Sequence, residues 1–492
     1  MSFPNLLPNL QQQLQQEQLL LIGGHWVQPG AGQFFPSINP ANGETITQIA
    51  QAEEQDVNAA VAAAQEAYST NWFKMAPAKR GQLLWRLAEL MERDQQLLIQ
   101  LETLDNGKPL AGSAYDVASA IKHFRYYAGW ADKIEGTTIP VPQEDTLTFV
   151  RKEPIGVVGL IVPWNFPLMM AAWKLAPALA CGNCCLLKPA EQTCLTALHL
   201  GRLSIEAGFP PGVFNILTGP GFPTGDAMVR HPGIGKLSFT GSTLTGRKIM
   251  AAAAETNLKR ISLELGGKSP NIVFADADLK TVAASVLWSS FYNAGQECTL
   301  GSRLYLQRSI YEQVLEELNE AARRLKVGPG WESPDIGPLI SDQQLARVDG
   351  YVQRAKGQAE LISGGKILGE HLAKGYFYSP TIFSHTDDQL EIAREEVFGP
   401  VVCVSPFDEP EEVIGRANDN PYGLAAAVWT KNMATAQQCV NELKAGTVWV
   451  NAYDLFDPAV PFGGWKASGF GREMGKNAID LYTAEKSVWI KY

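Results

Sequence analysis

Nothing in these 492 residues reaches the ~18 consecutive uncharged apolar positions of a membrane-spanning helix. The first residues also lack a basic region followed by an apolar one, so the chain is expected neither to enter nor to cross a membrane by itself. Basic charge is scarce: 41 Lys and Arg stand against 51 Asp and Glu, a net charge of −10, and no Lys/Arg-rich run offsets it. A surface of that sign repels phosphate backbones and anionic lipids, so nucleic acid is not an expected partner. Paired cysteines are missing too. The seven present, at 181, 184, 185, 194, 298, 403 and 439, show no disulfide spacing and fit a reducing, cytoplasmic setting. Cys181, Cys184 and Cys185 are followed by no second CxxC and no HxxxH and lead into Leu186 and Leu187, so no metal site is expected there.

What is present is an ordinary globular composition, 46% hydrophobic and 19% charged, with 45 glycines for turns and close backbone approaches. The length exceeds one core and predicts about two to three domains. Residues 1–20, with a Gln-rich stretch over 9–18, read as a polar leader ahead of Leu21 and Ile22. Apolar residues recur at helical spacing over 56–68 and 79–106, with Gly107 as the stop and Pro109 beyond it. The run over 155–162 is of the buried parallel-strand type. Strands over 184–187, 214–217, 236–239 and 261–265 then alternate with helices over 193–207 and 244–255, which predicts a doubly wound α/β sheet. A second series of strands, near 271–274, 303–307, 401–406, 425–430 and 447–451, follows a boundary placed at Gly266 and Gly267. The cleft between the two units is the expected place for chemistry.

Two residues flank that boundary with complementary chemistry. Cys298 offers a thiol and Glu264 a carboxylate, the groups needed to form and then hydrolyse a thioester. A thiol near pKa ~8.5 needs neighbours that favour the thiolate or a base that takes its proton. Asn165, in a rigid turn between Pro163 and Pro167 after a buried strand, is placed to stabilise an oxyanion. Gly241 and Ser242 lie where a strand turns into a helix whose first amides could face a pyrophosphate; an ordinary capped turn explains them equally well.

The ordered runs Pro163-Trp164-Asn165-Phe166-Pro167, Lys188-Pro189-Ala190-Glu191, Phe239-Thr240-Gly241-Ser242-Thr243, Glu264-Leu265-Gly266-Gly267-Lys268, Gly295-Gln296-Glu297-Cys298, Glu395-Glu396-Val397-Phe398-Gly399-Pro400 and Pro461-Phe462-Gly463-Gly464 resemble the aldehyde dehydrogenase superfamily, in particular its class 1/2 members. The resemblance runs from about Leu21 to the C-terminus. It implies a Rossmann-like cofactor domain (21–135 and 155–266), an α/β catalytic domain (267–470) and a small β oligomerisation arm (136–154 and 471–492). It further implies that Cys298 attacks an aldehyde, that Asn165 and the Cys298 amide hold the oxyanion, and that Glu264 activates the hydrolytic water. Lys174 and Glu473 match the positions that relay the proton.

For the cofactor, the resemblance puts Lys188 and Glu191 on the adenosine ribose, Trp164 and Ser242, with Gly241, at the pyrophosphate, and Glu396 with Phe398 at the nicotinamide ribose, and counts Leu265 among the cofactor-binding residues. Glu191 accepts from a free 2′-hydroxyl but repels a 2′-phosphate, so NAD is expected over NADP. Members that release the acyl group to coenzyme A usually lack the carboxylate at Glu264, so a free acid is the expected product. The implied tunnel, Phe166, Met170, Trp173, Glu297, Thr299, Asp454, Phe456 and Phe462, is mostly aromatic or apolar and favours neutral aliphatic, aromatic or polyene aldehydes such as retinal. Relatives acting on succinate semialdehyde carry an Arg where this chain has Tyr292, which ranks anionic semialdehydes low. Glu297 departs from the commoner apolar residue or Cys; it either admits a cationic amino-aldehyde of the betaine aldehyde kind or is a solvated wall residue. The stretches 146–151 and 486–491 alternate like edge strands, and relatives join subunits there, so a homodimer or homotetramer is expected. A silent binding protein on this fold is disfavoured by the intact Cys298, Glu264 and Asn165, and a thioesterase without redox chemistry by the cofactor motifs.

Overall fold

The computed structural model describes residues 6–492. The run at 155–162 becomes the strand Val157–Ile161, every residue of which is buried. It sits at the centre of an eight-stranded sheet because neighbours take both of its sides. Cys184–Lys188 and then Phe214–Ile216 lie on one side, and Lys236–Thr240 and then Arg260–Glu264 on the other, all five strands parallel. The strand order therefore reverses between Val157–Ile161 and Lys236–Thr240, and such a reversal opens a crevice at the carboxyl ends of the strands. Both turns beyond it, at Asn165 and Ser242, leave from that crevice.

A second, seven-stranded sheet holds Pro270–Val273, Arg303–Gln307, Val401–Phe407, Thr381–Ser384, Ala425–Trp429 and Thr447–Val450 in parallel, with Glu360–Ser363 antiparallel at one edge. Short strands at 360–363 and 381–384 add to the predicted series. Late in the chain, Gly469–Phe470 returns to pair antiparallel with Arg260–Glu264 and completes the first sheet. Glu264 ends a strand of the first sheet, while Cys298 precedes a strand of the second. The carboxyl edge of one sheet thus faces the amino edge of the other.

Several local expectations are corrected by tertiary contacts. The helix expected over 79–106 is two helices, Pro77–Arg93 and Gln95–Asn106, broken at Asp94. The Asp94 carboxylate is engaged by Arg93 and, at 2.9 Å, by His199 Nε2, so it turns the chain rather than continuing it. Within the polar leader Pro8–Leu14 is a helix, and it buries Leu10 and Leu14 in the first core, which a polar composition does not announce; residues 1–5 lie outside the described residues. Pro167–Ala180 is a helix buried on every side, with no polar face for periodicity to detect. Finally, Thr146–Pro154 is not an edge. It is the middle strand of a three-stranded sheet, paired over its whole length with Thr483–Lys491 and, on its other side, at Phe149 and Val150 with Thr137–Thr138. Thr483–Lys491 is the long edge strand of that sheet, opposite the two-residue Thr137–Thr138, and on it Trp489 is 60% and Ile490 40% exposed.

Candidate active site

Cys298 is delivered by an unusual backbone. Asn293, Ala294 and Gly295 take three successive left-handed conformations, with φ of +48°, +56° and +70°. Gly295 is required in that turn, because a Cβ there would stand 2.0 Å from the Gly399 carbonyl oxygen. The strain of the two non-glycine residues is held by Gln296, which is fully buried, donates to Asn293 O at 3.1 Å and accepts from Ile340 N at 2.9 Å. Across the cleft Asn165 is tied to the same turn: its Nδ2 donates to Gln296 O at 3.0 Å, and its own carbonyl accepts from Asn293 Nδ2 at 3.0 Å. One Nδ2 hydrogen of Asn165 is used there, which leaves the second for an oxyanion.

Asn165, Glu264 and Cys298 line one hollow of about 430 Å³. Cys298 is half-buried, and the other six cysteines are buried. Its thiol is pushed well above the ordinary range by burial and by the carboxylates of Glu297, Glu396 and Glu264. Protein cations that would favour the thiolate are not what surrounds it, so a base that accepts the proton carries more of the burden. Glu264 is buried, and neither carboxyl oxygen finds a side-chain hydrogen-bond partner among the described residues, the main-chain amide of Gly464 being a polar group that eases its charge. Burial first, and the charge of Glu473 second, drive its pKa well up. Glu473 forms a buried ion pair with Lys174, and Ser238 Oγ donates to Glu473 Oε1 at 3.1 Å. Lys174 Nζ is 3.1 Å from Ser238 Oγ, so the three side chains form one cluster. Glu473 reaches the site through its main-chain pairing with Phe462.

Behind Cys298 a narrow pocket of about 30 Å³ is lined by Phe166, Met170, Trp173, Glu297, Thr299, Phe456 and Phe462, together with Glu264 and Glu473. The aromatic rings brace one another: Trp173 lies 5.5 Å from Phe462 and 5.9 Å from Phe456, and Phe456 lies 5.4 Å from Phe462. Asp454 does not line the pocket; it stands behind Thr299, whose Oγ1 donates to it at 3.0 Å. Glu297 is not a solvated wall residue, because it is only 6% exposed. Burial and the neighbouring Asp454 push its pKa well above the carboxylate range. Met169, Thr240 and Leu424 complete the lining and went unremarked in the sequence. Met169 adjoins Met170 on a helix without a polar face, and Leu424 approaches from the link between the strands Tyr422–Gly423 and Ala425–Trp429, far along the chain, so neither carries a local signal.

From the hollow at Cys298 a cleft of about 650 Å³ runs to Lys188 and Glu191, past Trp164, Gly241 and Ser242. Ser242 caps the helix Thr243–Ala254, accepting from Thr245 N at 3.2 Å, so the positive end of that helix opens into the cleft. Lys188 is buried and Glu191 half-exposed, 3.8 Å apart. At the other end Trp164 meets the Phe398 ring edge-on at 5.2 Å, and Glu396 Oε1 accepts from Gly267 N at 2.9 Å. Burial raises the Glu396 carboxyl to about 7. Leu265 also lines the hollow. Arg347, Gln192 and Lys248 face the same space and were not foreseen, since each sits on an otherwise ordinary surface segment. Groups of three or more His, Cys, Asp or Glu able to hold a metal do not occur among the described residues, and no helix among them is long and apolar enough to cross a membrane.

With this geometry established, the comparison with known proteins is decisive: the sequence model of the aldehyde dehydrogenase family matches residues 26–488. The chain belongs to the aldehyde dehydrogenase family. Human retinal dehydrogenase 2 is 47% identical over 493 residues, 99% of this chain and 94% of that protein. An NAD+ complex of an aldehyde dehydrogenase from Bacillus cereus superposes with a TM-score of 0.97 at 46% identity, covering 99% of both chains. A betaine aldehyde dehydrogenase from Staphylococcus aureus, also solved with NAD+, superposes at 0.96 with 39% identity, covering 98% of this chain and 96% of that one. The long cleft and the narrow pocket behind Cys298 both adjoin the hollow that Asn165, Glu264 and Cys298 line.

Proposed function

We propose that the protein oxidises neutral, mainly apolar aldehydes to carboxylic acids with NAD and water, through a thioester on Cys298. The observation that carries this reading is the convergence of Cys298, Asn165 and a buried Glu264 without a side-chain partner on one hollow that continues into the long cleft. The cleft suits a dinucleotide by its donors: a capped helix N-terminus at its middle, a lysine with a carboxylate at one end, and Glu396 with Phe398 at the other. In this reading residues 21–135 and 155–266 form the NAD-binding unit and 267–470 the catalytic one.

Cys298 Sγ bonds to the aldehyde carbon, and its proton leaves to a base. The carbonyl oxygen gains negative charge, which the free Asn165 Nδ2 hydrogen and the Cys298 main-chain N–H stabilise. When bound, NAD would supply the hydride acceptor. Collapse of the oxyanion breaks the C–H bond, its hydrogen leaving as hydride to the acceptor that bound NAD would supply, and leaves a thioester on Cys298. Glu264 then takes a proton from water, the hydroxide adds to the thioester carbon, and the C–S bond breaks to release the acid and the thiol. Glu473 and Lys174 lie on the path by which that proton leaves Glu264. Glu191 disfavours a 2′-phosphate by like charge, so NAD is used in preference to NADP.

The tunnel argues for the substrate. Its rings are packed to about 30 Å³ of free space, and Glu297, driven toward its neutral form, does not impose a charge. Free space of that size holds about one water, so a hexyl chain or a phenyl ring needs a small movement of the aromatic side chains and a polyene such as retinal a much larger one. A second reading, a cationic amino-aldehyde, rests on Glu297 itself, whose Oε2 has no hydrogen-bond partner among the described residues and which lines the pocket. NADH formation with hexanal, benzaldehyde, retinal, betaine aldehyde and succinate semialdehyde separates these. Fastest turnover is expected with the first two; preference for betaine aldehyde establishes the second reading, and preference for the semialdehyde overturns both. Assembly into a homodimer or homotetramer is proposed through the open edge of Thr483–Lys491, with its exposed Trp489 and Ile490. Sedimentation at micromolar concentration should show no monomer, and Trp489→Asp should produce one.

A further inference from the structure

Beside the Asn165 turn lies a buried cluster of charges that none of these steps uses. Lys108 leaves the helix Gln95–Asn106 through Gly107, which has a φ of +91° and where a Cβ would stand 2.6 Å from Pro338 Cγ and 2.7 Å from Pro40 Cγ. So tight a turn admits only glycine and fixes where the lysine starts. The Lys108 side chain is buried and its ammonium forms an ion pair with Asp116, 3.7 Å from Glu102 Oε1 as well. It also donates to the main-chain carbonyl of Asn165 at 2.8 Å and stands 4.4 Å from the centre of the Phe166 ring. That carbonyl is the one Asn293 Nδ2 also reaches at 3.0 Å.

Stability alone is a poor account of this cluster. Burying an ammonium with two carboxyls costs desolvation that the pair attraction seldom exceeds, and apolar residues of equal volume are often as stable. Both oxygens of Glu102 lack a hydrogen-bond partner among the described residues, and burial raises that carboxyl to about 7. The strongly engaged groups are Asp116, Lys108 and the Asn165 carbonyl, which form a line that ends on the residue proposed to hold the oxyanion.

We propose that Lys108 is a positioning residue for the oxyanion site, pinning the Asn165 carbonyl and the Phe166 ring so that the Asn165 amide keeps its direction toward Cys298, with Asp116 fixing the ammonium. This inference rests on the role given to Asn165 above. Lys108 touches no reacting atom; it acts through the backbone of its neighbour, and a displacement of about 1 Å there is enough to cost on the order of 100-fold in rate.

The test is a double-mutant cycle on the whole enzyme, read as the rate of the first-turnover NADH burst, with NAD affinity measured by calorimetry. Lys108→Met should slow the burst by about 10- to 100-fold and leave NAD affinity unchanged. In an Asn165→Ala background the same change should add little further loss, because the group it positions is gone. Lys108→Arg keeps the charge but not the single-point contact; it should lose rate less than Lys108→Met, again only when Asn165 is present, and it carries the test if the methionine variant does not fold. A wild-type burst in both Lys108 variants, or the same fold-loss with and without Asn165, overturns the inference. An unaltered burst in Asn165→Ala alone overturns the underlying role of Asn165 instead, so the two failures are distinguishable.

Discussion

Glu264 and Glu473 are two glutamates of nearly equal burial, 5% and 3% exposed, in one pocket. Their partners differ completely. Glu473 is ion-paired to Lys174 and hydrogen-bonded to Ser238, whereas Glu264 has no ion pair and no side-chain hydrogen-bond partner among the described residues. The contrast shows that depth does not assign a carboxylate its task. A paired one is held in place, and an unpaired one, pushed up by burial and by its charged neighbour, is free to exchange a proton with water.

Removing the unpaired group is the severest way to break the comparison. Glu264→Gln should retain a first-turnover burst of NADH yet lose steady turnover by about 10²- to 10⁴-fold, the usual range for a general base; an unchanged steady rate assigns deacylation to another group. Next in size is the pair. Lys174→Met leaves Glu473 buried without its cation and should cost about 3–5 kcal/mol of stability, measured by denaturant unfolding, where a variant as stable as the parent shows the pair to be dispensable.

The pH profile sharpens the contrast further. Glu264 works as a base only when ionised, so steady turnover should rise with pH through its raised pKa. The charge of Glu473 raises that pKa and the charge of Lys174 lowers it. Glu473→Gln should therefore move the acid limb of kcat to lower pH, and Lys174→Met should move it to higher pH. Shifts in the same direction would dissociate the pair from the base. The smallest effect belongs to a third glutamate, Glu191, half-exposed beside Lys188. Glu191→Ala should leave kcat with NAD almost unchanged and raise relative use of NADP by about tenfold, equivalent to ~1.4 kcal/mol of relieved repulsion; an unaltered NADP to NAD ratio removes Glu191 from the choice of cofactor.

Much of this architecture is legible in the chain. The strand at 157–161 announces itself because a strand buried on both faces needs a continuous apolar run, whereas the strand that carries Glu264 and the one that follows Cys298 show only alternate apolar positions, Ile261 with Leu263 and Leu304 with Leu306, which still bound them to within a residue or two. The helix Pro167–Ala180 is the counter-example, since burial on every side erases the periodicity that would reveal it. Thr146–Pro154 misled in another way: alternation marks a strand, but whether the strand is an edge depends on what pairs with it, and Thr483–Lys491 lies more than 300 residues further along.

The sequence by itself determined the chemistry available here, a thiol, a carboxylate, an amide turn and a capped helix in the order of one family, because those depend on residue types at short spacing. Only the tertiary structure decided which glutamate is paired, that Glu297 is buried, that Asp454 stands behind Thr299, and that Lys108 reaches the Asn165 carbonyl. Each of these is a matter of who lies within about 3 Å of whom in a water-poor space, where a single partner changes the cost of a charge, and no local pattern of residues encodes that.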